Sequence, residues 1–252
     1  MDGSAKEPDV HQWGTAPDFQ GPRHELREEL LLDEFLAASP GPLVLDVGAG
    51  SGTFTDRLAT RGFEVTSTDV TDDALEVLRG RVSGTVERAD ASSLPFSAAS
   101  FDAVVLGEVL EHVEDDSAAL KEAARVLRPD GILAVTVPRN PAWFSRSDQW
   151  AGHFRRYTRG QLENRVAMAG FEILTCKAWG FPISALYHRT VFEWIVARHA
   201  TSSAPLRAGS PILGALLRLD RHFLGHERGA LGYILVAVAS SETFAGTTQP
   251  PL

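Results

Sequence analysis

Hydrophobic residues along the chain alternate between short strand-like runs and longer stretches with helical spacing. Strands are predicted at residues 43–47, 64–68, 84–88, 101–107, 132–137, 171–177 and 233–239, and helices are predicted to begin near Gly52, Thr71, Asp116 and Thr158. Strands that alternate with helices are joined by right-handed crossovers and form a mostly parallel sheet covered on both faces. The pattern therefore predicts an α/β protein with a doubly wound, seven-stranded sheet.

Two helical regions lie outside this alternation. Residues 23–38 carry apolar side chains at helical spacing, and two apolar helices are predicted at 183–200 and 212–224, before the last strand. We divide the chain into an N-terminal segment with a cap helix (1–40), a core (41–178), a helical cap insertion (179–231) and the last strand with a tail (232–252), all within a single domain. The N-terminal residues are expected to be loose, with Trp13 and Phe19 as anchors.

Composition and charge narrow the class of protein. The 252 residues are 44% hydrophobic and 23% charged, as is typical of a soluble enzyme. The net charge of -9, without a run of Lys and Arg, argues against nucleic acid as a partner and favours a small-molecule substrate. The N-terminus lacks the features of a secretory signal and no stretch is apolar enough to span a bilayer, so the sequence predicts a cytoplasmic protein.

The most informative motif is a glycine-rich turn that follows the first strand, Leu45-Asp46-Val47-Gly48-Ala49-Gly50-Ser51-Gly52-Thr53. Glycine permits a tight turn whose backbone lies directly against a ligand. Thr53 occupies the position at which a dinucleotide-binding turn has its third small residue, so the spacing favours an adenosyl cofactor over NAD.

Acidic residues follow the next two predicted strands. Asp69 ends the second strand, where its carboxylate can accept hydrogen bonds from both hydroxyls of a ribose. Asp90 follows the third strand, where it can accept from the amino group of an adenine. Each feature alone is also common as a turn or a cap, but their order in one chain predicts a nucleoside-binding site.

The segment from Val44 to Thr55 resembles the first motif of the class I S-adenosylmethionine-dependent methyltransferases, especially the type 11 group. Later segments are similar to that group's remaining motifs, namely Leu94-Pro95-Phe96, Phe101-Asp102-Ala103-Val104-Val105, Leu110-Glu111-His112-Val113 and Leu127-Arg128-Pro129-Asp130-Gly131. The resemblance covers about residues 24–178. It implies S-adenosylmethionine as cofactor and a Rossmann-like methyltransferase fold whose last strand is antiparallel.

The resemblance also implies roles for individual residues. Those expected to approach the methionine part of the cofactor are Gly48, Ala49, Gly50 and Gly52, with Asp46 beneath its amino group. Asp69 is expected to bind the ribose and Asp90 the adenine amino group, while Val70 and Ala91 flank the adenine. Gly107 and Glu108 are expected to line the passage to the sulfonium.

Methyl transfer requires a positioned nucleophile, and an oxygen or nitrogen nucleophile must also lose a proton. The candidate bases are His112, His153 and Glu108. His112 alternatively caps a helix or covers the cofactor, and Glu108 alternatively positions the cofactor. The acids Glu114, Asp115 and Asp116 are interpreted as a solvated start of a helix, and no metal site is predicted.

A loop after the fifth strand carries Gly152-His153-Phe154-Arg155-Arg156-Tyr157-Thr158. A substrate-binding role is predicted for Arg155, Arg156 and Tyr157, because such side chains at the carboxyl end of a sheet can bind a polar or anionic group. The alternative is that the segment only forms the loop, with Thr158 as the cap of the next helix.

The cap is rich in apolar and aromatic residues, among them Phe181, Ile183, Tyr187, Phe192, Trp194, Ile195 and Val196. They either enclose a small apolar or aromatic substrate or only pack the cap onto the sheet. A third interpretation is that the cap lies at a membrane surface and binds a lipid-like substrate there. Arginines near the cap would favour this location, namely Arg189, Arg198, Arg218 and Arg221. The leading hypothesis is O- or N-methylation of a small molecule; a non-catalytic cofactor-binding protein and an NAD-dependent oxidoreductase are the rivals.

Overall fold

Seven strands form one sheet in the order β3-β2-β1-β4-β5-β7-β6 in the computed structural model, which describes residues 21–194 and 211–240. The strands are β1 (Leu43–Val47), β2 (Glu64–Asp69), β3 (Thr85–Arg88), β4 (Phe101–Gly107), β5 (Leu127–Pro138), β6 (Phe171–Trp179) and β7 (Gly232–Ala239). The helices are α1 (Pro22–Ala37), α2 (Thr53–Ala59), α3 (Asp72–Arg81), α4 (Asp116–Val126), α5 (Arg146–Ala151), α6 (Arg159–Met168), α7 (Ile183–Tyr187) and α8 (Pro211–Leu217). The proposed anchors Trp13 and Phe19 and the cap residues Ile195, Val196 and Arg198 lie outside the described residues.

The sheet has the predicted doubly wound, mostly parallel topology. Strands β1 to β5 pair in parallel, whereas β7 lies between β5 and β6 and is antiparallel to both. The predicted fold class and the antiparallel last strand are therefore confirmed.

Both faces of the sheet are covered, because successive side chains of a strand point to opposite faces. One core cluster joins Leu30 and Phe35 of α1, Leu58 of α2 and Leu217 of α8 to Val44, Val105 and Val236 of the sheet. The other joins Leu120 of α4 and Leu162 and Val166 of α6 to Leu45, Val104 and Leu235. Helix α1 thus packs on the same face as α2 and α8.

Strand β5 begins earlier than the sequence predicts. The strand was predicted at residues 132–137, but β5 starts at Leu127, which pairs with Phe101, and regular pairing resumes at Ile132 opposite Ala103. The irregular stretch contains Asp130 in the left-handed region, with φ 62°. The Arg128 guanidinium lies 2.5 Å from Asp102, so an ion pair holds the irregular stretch beside β4.

Local capping explains two predicted helix starts. The Thr71 side chain accepts from the Ala74 amide at the start of α3, and Thr158 forms a capping box with Gln161 at the start of α6. Helix α5 was not predicted. Its signal is present in the sequence, because Ser145 and Asp148 form a capping box of the same kind.

The cap starts with α7, whose helix continues through a π-helical turn at His188–Phe192, and α8 continues as a 3₁₀ helix over Arg218–Phe223. Asp220, which is buried, accepts from the backbone amides of Ile183 and Ser184 at 2.9 and 2.7 Å, and so connects the two parts of the cap. Arg218 and Arg221 pair with Glu29 of α1 at 2.9 and 2.8 Å. Among the described helices, none is both long and apolar enough to cross a bilayer.

The close approach of β7 to its neighbours predicts a strong effect of adding one methyl group. In Gly232→Ala, the new Cβ would lie 2.8 Å from the Val137 carbonyl oxygen and 2.4 Å from Trp179 Nε1. Since such overpacking costs about 1–3 kcal/mol, we expect a clearly lower melting temperature. The control is Gly80→Ala in α3, where the added Cβ meets nothing within 4 Å and should leave the melting temperature equal or higher. Equal melting temperatures for parent and Gly232→Ala would contradict the described packing.

Candidate active site

The glycine-rich turn lies at the carboxyl end of β1, where the predicted ligand site should be. Gly48, Gly50 and Gly52 all adopt positive φ angles, of 65°, 54° and 76°. A Cβ on Gly48 would lie 2.7 Å from the Val109 side chain, whereas one on Gly50 would meet nothing within 4 Å. The turn therefore needs glycine for its backbone conformation, and at Gly50 it presents bare backbone to open space.

Asp69 and Asp90 lie at the ends of the neighbouring strands β2 and β3, and Asp69 contacts this turn. Asp69 accepts from the Gly50 amide at 3.1 Å and from the Thr71 amide at 3.0 Å. Asp90 accepts from the side chain and the amide of Ser92, and these hydrogen bonds hold the pKa of its carboxyl below the usual value. Of the predicted adenine neighbours, Val70 is 56% exposed and Ala91 is buried.

Asp46 is a buried carboxylate with little compensation from the protein. It is 3% exposed and accepts one short hydrogen bond, of 2.6 Å, from the Thr55 hydroxyl. Burial raises its pKa to about 7, and the carboxylates of Glu28 and Asp69 contribute to the increase. A ligand with a positively charged amino group would favour the ionised form of this carboxyl.

Helix α1 brings a cluster of charged residues to the same edge, which the sequence analysis did not predict. Arg27 pairs with Glu108 at 3.3 Å, and Glu28 pairs with Arg57 at 2.8 Å and with His24 at 2.9 Å. Burial raises the pKa of Glu28, but the hydrogen bonds from His24 and Thr53 and nearby positive charges outweigh burial and lower it to about 2. The signal in the sequence is the group of charged residues on one predicted helix next to the first strand.

Glu108 directly follows β4 in the left-handed conformation, with φ 59°. Its amide donates to the Thr136 carbonyl of β5 at 3.0 Å. Burial raises the pKa of its carboxyl, but the electrostatic interactions with Arg27, His153 and Arg23 outweigh burial and lower the pKa. A strained non-glycine backbone at a strand end is typical of a functional position.

The structure brings together the two histidines that were predicted as bases. The rings of His112 and His153 meet edge to face with centroids 4.6 Å apart. His153 Nδ1 lies 2.8 Å from Asp148, which orients the ring. Burial, with a contribution from His153, lowers the pKa of His112 to about 4. His112 is therefore a weaker base than its residue type suggested.

The predicted substrate residues are largely occupied by contacts within the protein. Tyr157 is 1% exposed and its hydroxyl donates to Asp116 at 2.7 Å, while Arg156 is buried and donates to both Asp148 oxygens at 2.8 and 2.9 Å. Arg155 pairs with Asp116 at 3.0 Å. Arg156 and Tyr157 therefore anchor the loop, and their predicted contact with substrate stays a prediction. Asp116 was predicted to be solvated, but it is buried, pairs with Arg155 and accepts a hydrogen bond from the Tyr157 hydroxyl.

Comparison with known proteins is consistent with this geometry. Residues 45–135 match the family model described as a methyltransferase domain. The chain is 37% identical over 144 residues to the ubiquinone biosynthesis O-methyltransferase of Hahella chejuensis, covering 54% of this chain and 60% of that protein. It is 41% identical over 109 residues to the demethylmenaquinone methyltransferase of Beutenbergia cavernae, covering 43% of this chain and 45% of that protein. The chain thus spans about half the length of these curated relatives.

Solved structures give the same result for the fold. The S-adenosylmethionine-dependent methyltransferase from Mesorhizobium loti superposes with a TM-score of 0.59 at 19% identity, covering 86% of this chain and 99% of that chain. The predicted resemblance to the type 11 group and the Rossmann-like methyltransferase fold are confirmed.

The buried Asp46 makes the stability of the ligand-free protein depend on pH. Its pKa is raised from 3.8 to about 7, so folding favours the protonated form. The contribution of the protonated form to stability is complete below the unfolded pKa and is lost as the pH rises through about 7. We expect the melting temperature to fall less between about pH 5 and about pH 8 in Asp46→Asn than in the parent, measured by thermal denaturation without ligand.

The control for this measurement is Asp56→Asn, which changes an exposed acid on the neighbouring helix α2 and should keep the parent's pH profile. A profile of Asp46→Asn that matches the parent's would show that Asp46 is not a source of the pH dependence.

Proposed function

We propose that the protein transfers a methyl group from S-adenosylmethionine to an oxygen or nitrogen of a small, apolar or aromatic molecule, since residues 45–135 match the family model described as a methyltransferase domain. The observation that carries the proposal is the junction of the glycine turn with Asp69. The Gly50 amide donates to the Asp69 carboxylate, so the open backbone and the ribose acceptor form one continuous surface. The same surface adjoins Glu108 at the end of β4, where Glu108 pairs with Arg27 of α1.

The residues present fit S-adenosylmethionine. Gly50 leaves room for a ligand against the backbone, and a Cβ on Gly107 would likewise meet nothing within 4 Å. Asp46 is placed to bind an ammonium group, whose charge would offset the cost of its burial. Asp69 and Asp90 are the proposed acceptors for the ribose hydroxyls and the adenine amino group.

Bound S-adenosylmethionine supplies a methyl group on positively charged sulfur, which an oxygen or nitrogen can take in an in-line displacement. The protein's own contribution is to orient the acceptor and to accept its proton. His153 is the proposed proton acceptor, because Asp148 fixes one ring nitrogen and leaves Nε2 as the acceptor. Arg156 holds Asp148 in place, so it acts as a positioning residue.

The proposed substrate class follows from the cap. Side chains of the cap and the preceding loop remain exposed although they are apolar: Phe144, Leu186, Val191 and Trp194 are 38%, 65%, 43% and 52% exposed. An apolar or aromatic acceptor could be covered by such residues. The named activities of the relatives from Hahella chejuensis and Beutenbergia cavernae concern quinone compounds, which are of this class. A lipid-like substrate at a membrane surface is the alternative, because Ile212 and Leu219 of the cap are also exposed.

Removal of the proposed ribose acceptor should weaken cofactor binding. In Asp69→Ala we expect the dissociation constant for S-adenosylmethionine to rise at least about tenfold, because hydrogen bonds to a charged group contribute about 1.5–3 kcal/mol. Isothermal titration calorimetry measures the change directly. Asp72→Ala serves as the control, since Asp72 is a largely exposed acid at the start of α3 and pairs with Arg88. Parent-like binding by Asp69→Ala would refute the proposed site.

The proposed activity is tested by incubating the protein with methyl-labelled S-adenosylmethionine and a panel of phenols, catechols and aromatic amines with short or long alkyl tails. We expect label in an acceptor with an apolar ring, together with formation of S-adenosylhomocysteine. Calorimetric titration with NADH is run in parallel. Binding of NADH without binding of S-adenosylmethionine would favour the oxidoreductase, and cofactor binding with no transfer to any acceptor would favour a non-catalytic protein. Transfer only to acceptors presented in vesicles would favour the membrane alternative.

A further inference from the structure

Three side chains with metal-binding atoms meet at the edge of the proposed active site. Glu111 and His112 lie in a short 3₁₀ helix, Leu110–His112, that follows β4, and His153 lies in the loop after α5. One carboxylate oxygen and one nitrogen from each ring lie within 4.8 Å of one another. The sequence analysis treated the histidines as separate candidate bases and gave no role to Glu111.

Glu111 carries a buried carboxylate without an ion-pair partner among the described residues. The residue is 0% exposed, and neither side-chain oxygen has a hydrogen-bond partner among residues 21–194 and 211–240. Burial raises the pKa of Glu111 well above its usual value, and the negative charge of Glu108 raises it further. A buried carboxylate without a partner is strongly unfavourable, so the cluster requires either a proton or a cation.

Arg27 lies near enough to lower the pKa of Glu111 in part, but its ion pair is with Glu108 at 3.3 Å, and it makes no described hydrogen bond to either Glu111 oxygen. Nearby Asp116 and Asp148 have cations of their own. Arg155 pairs with Asp116, and Arg156 donates to both oxygens of Asp148. Glu111 therefore differs from Asp116 and Asp148, each of which has a described cationic partner.

The histidines have the surroundings that metal-bound histidines usually have. His153 Nδ1 is hydrogen-bonded to Asp148 at 2.8 Å, which leaves Nε2 as the ligand atom. The His112 ring forms a hydrogen bond with the Gly152 backbone. In metal sites, a carboxylate or a backbone carbonyl commonly accepts from the ring nitrogen that does not bind the metal, and so orients the ligand.

We propose that Glu111, His112 and His153 bind a divalent transition-metal ion of the zinc type. Two imidazoles and one carboxylate suit zinc and its neighbours, whereas magnesium and calcium prefer oxygen ligands throughout. Zinc–ligand distances of about 2.0–2.2 Å place tetrahedral ligands about 3.4 Å apart, so small side-chain rotations close the site. Three protein ligands leave one coordination position open.

The open position gives the site a use that rests on the proposed function. The metal cluster adjoins Glu108, whose negative charge raises the pKa of both Glu111 and His112. A hydroxyl oxygen of the methyl acceptor can occupy the open position, where a metal ion favours its deprotonated form and the proton is released to water. In the metal-bound protein His153 Nε2 is a ligand, so the metal takes over from His153 the promotion of proton loss. Metal binding itself does not depend on methyl transfer and can be measured separately.

The test is calorimetric titration of the chelator-treated full chain with zinc chloride, supported by the visible absorption of bound Co²⁺. We expect one zinc per chain. Glu111→Gln and His153→Asn should each weaken zinc binding at least about tenfold, since Gln is a poorer ligand of nearly equal shape and Asn removes the imidazole. The controls are Glu114→Gln and His222→Asn, which change exposed residues outside the cluster and should bind zinc like the parent.

Thermal denaturation and circular dichroism show whether each variant is folded. A further variant, Asp148→Asn, tests zinc binding while all three proposed ligands stay in place. It removes the charge that orients His153 and should weaken zinc binding about 10–100-fold. Absence of zinc binding by the parent, or equal binding by parent and Glu111→Gln, overturns the proposal and indicates a protonated Glu111. Zinc binding without S-adenosylmethionine binding would retain the metal site and refute the proposed function; the reverse would refute the metal site alone.

Discussion

Neutralisation of buried carboxylates is the constraint on which the arrangement of this protein depends. Parallel strands end at one edge of the sheet, and the chain places the buried acids Asp46, Glu111 and Asp116 within or shortly after those strands, with Glu28 added by α1. Buried charge is stable only when it is paired, hydrogen-bonded or protonated. The position of α1 and the conformation of the loop after α5 both satisfy this requirement.

The buried acids fall into two groups according to how they are compensated. Glu28, Asp116 and Asp148 have cationic partners within the chain, and these ion pairs hold α1 and the 152–158 loop against the sheet. Asp46 receives only a hydroxyl, and Glu111 receives no partner among the described residues. The ion pairs of the first group stabilise the fold. The second group indicates where positively charged ligands belong: an ammonium group at Asp46 and, by our proposal, a metal ion at Glu111.

The cap and α1 form one cover over one face of the sheet. Arg218 and Arg221 of the cap pair with Glu29 of α1, while Leu217 packs into the same core cluster as Leu30. Arg27, on the same helix, pairs with Glu108 at the proposed reaction site. Helix α1 therefore connects the apolar surface that is proposed to cover the acceptor with the charged residues at the end of β4.

The sequence by itself determined the features that depend on local pattern: the alternation of strands and helices, the glycine turn at Gly48–Gly52 and the carboxylates Asp69 and Asp90 at strand ends. These were predictable because backbone conformation and burial periodicity are properties of neighbouring residues. Tertiary structure alone decided that Tyr157 and Arg156 are buried, that Asp116 is not solvated, and that Glu111 meets His153. Asp116 meets Tyr157, and Glu111 meets His153, across about forty positions of the chain, and no local pattern specifies such partners.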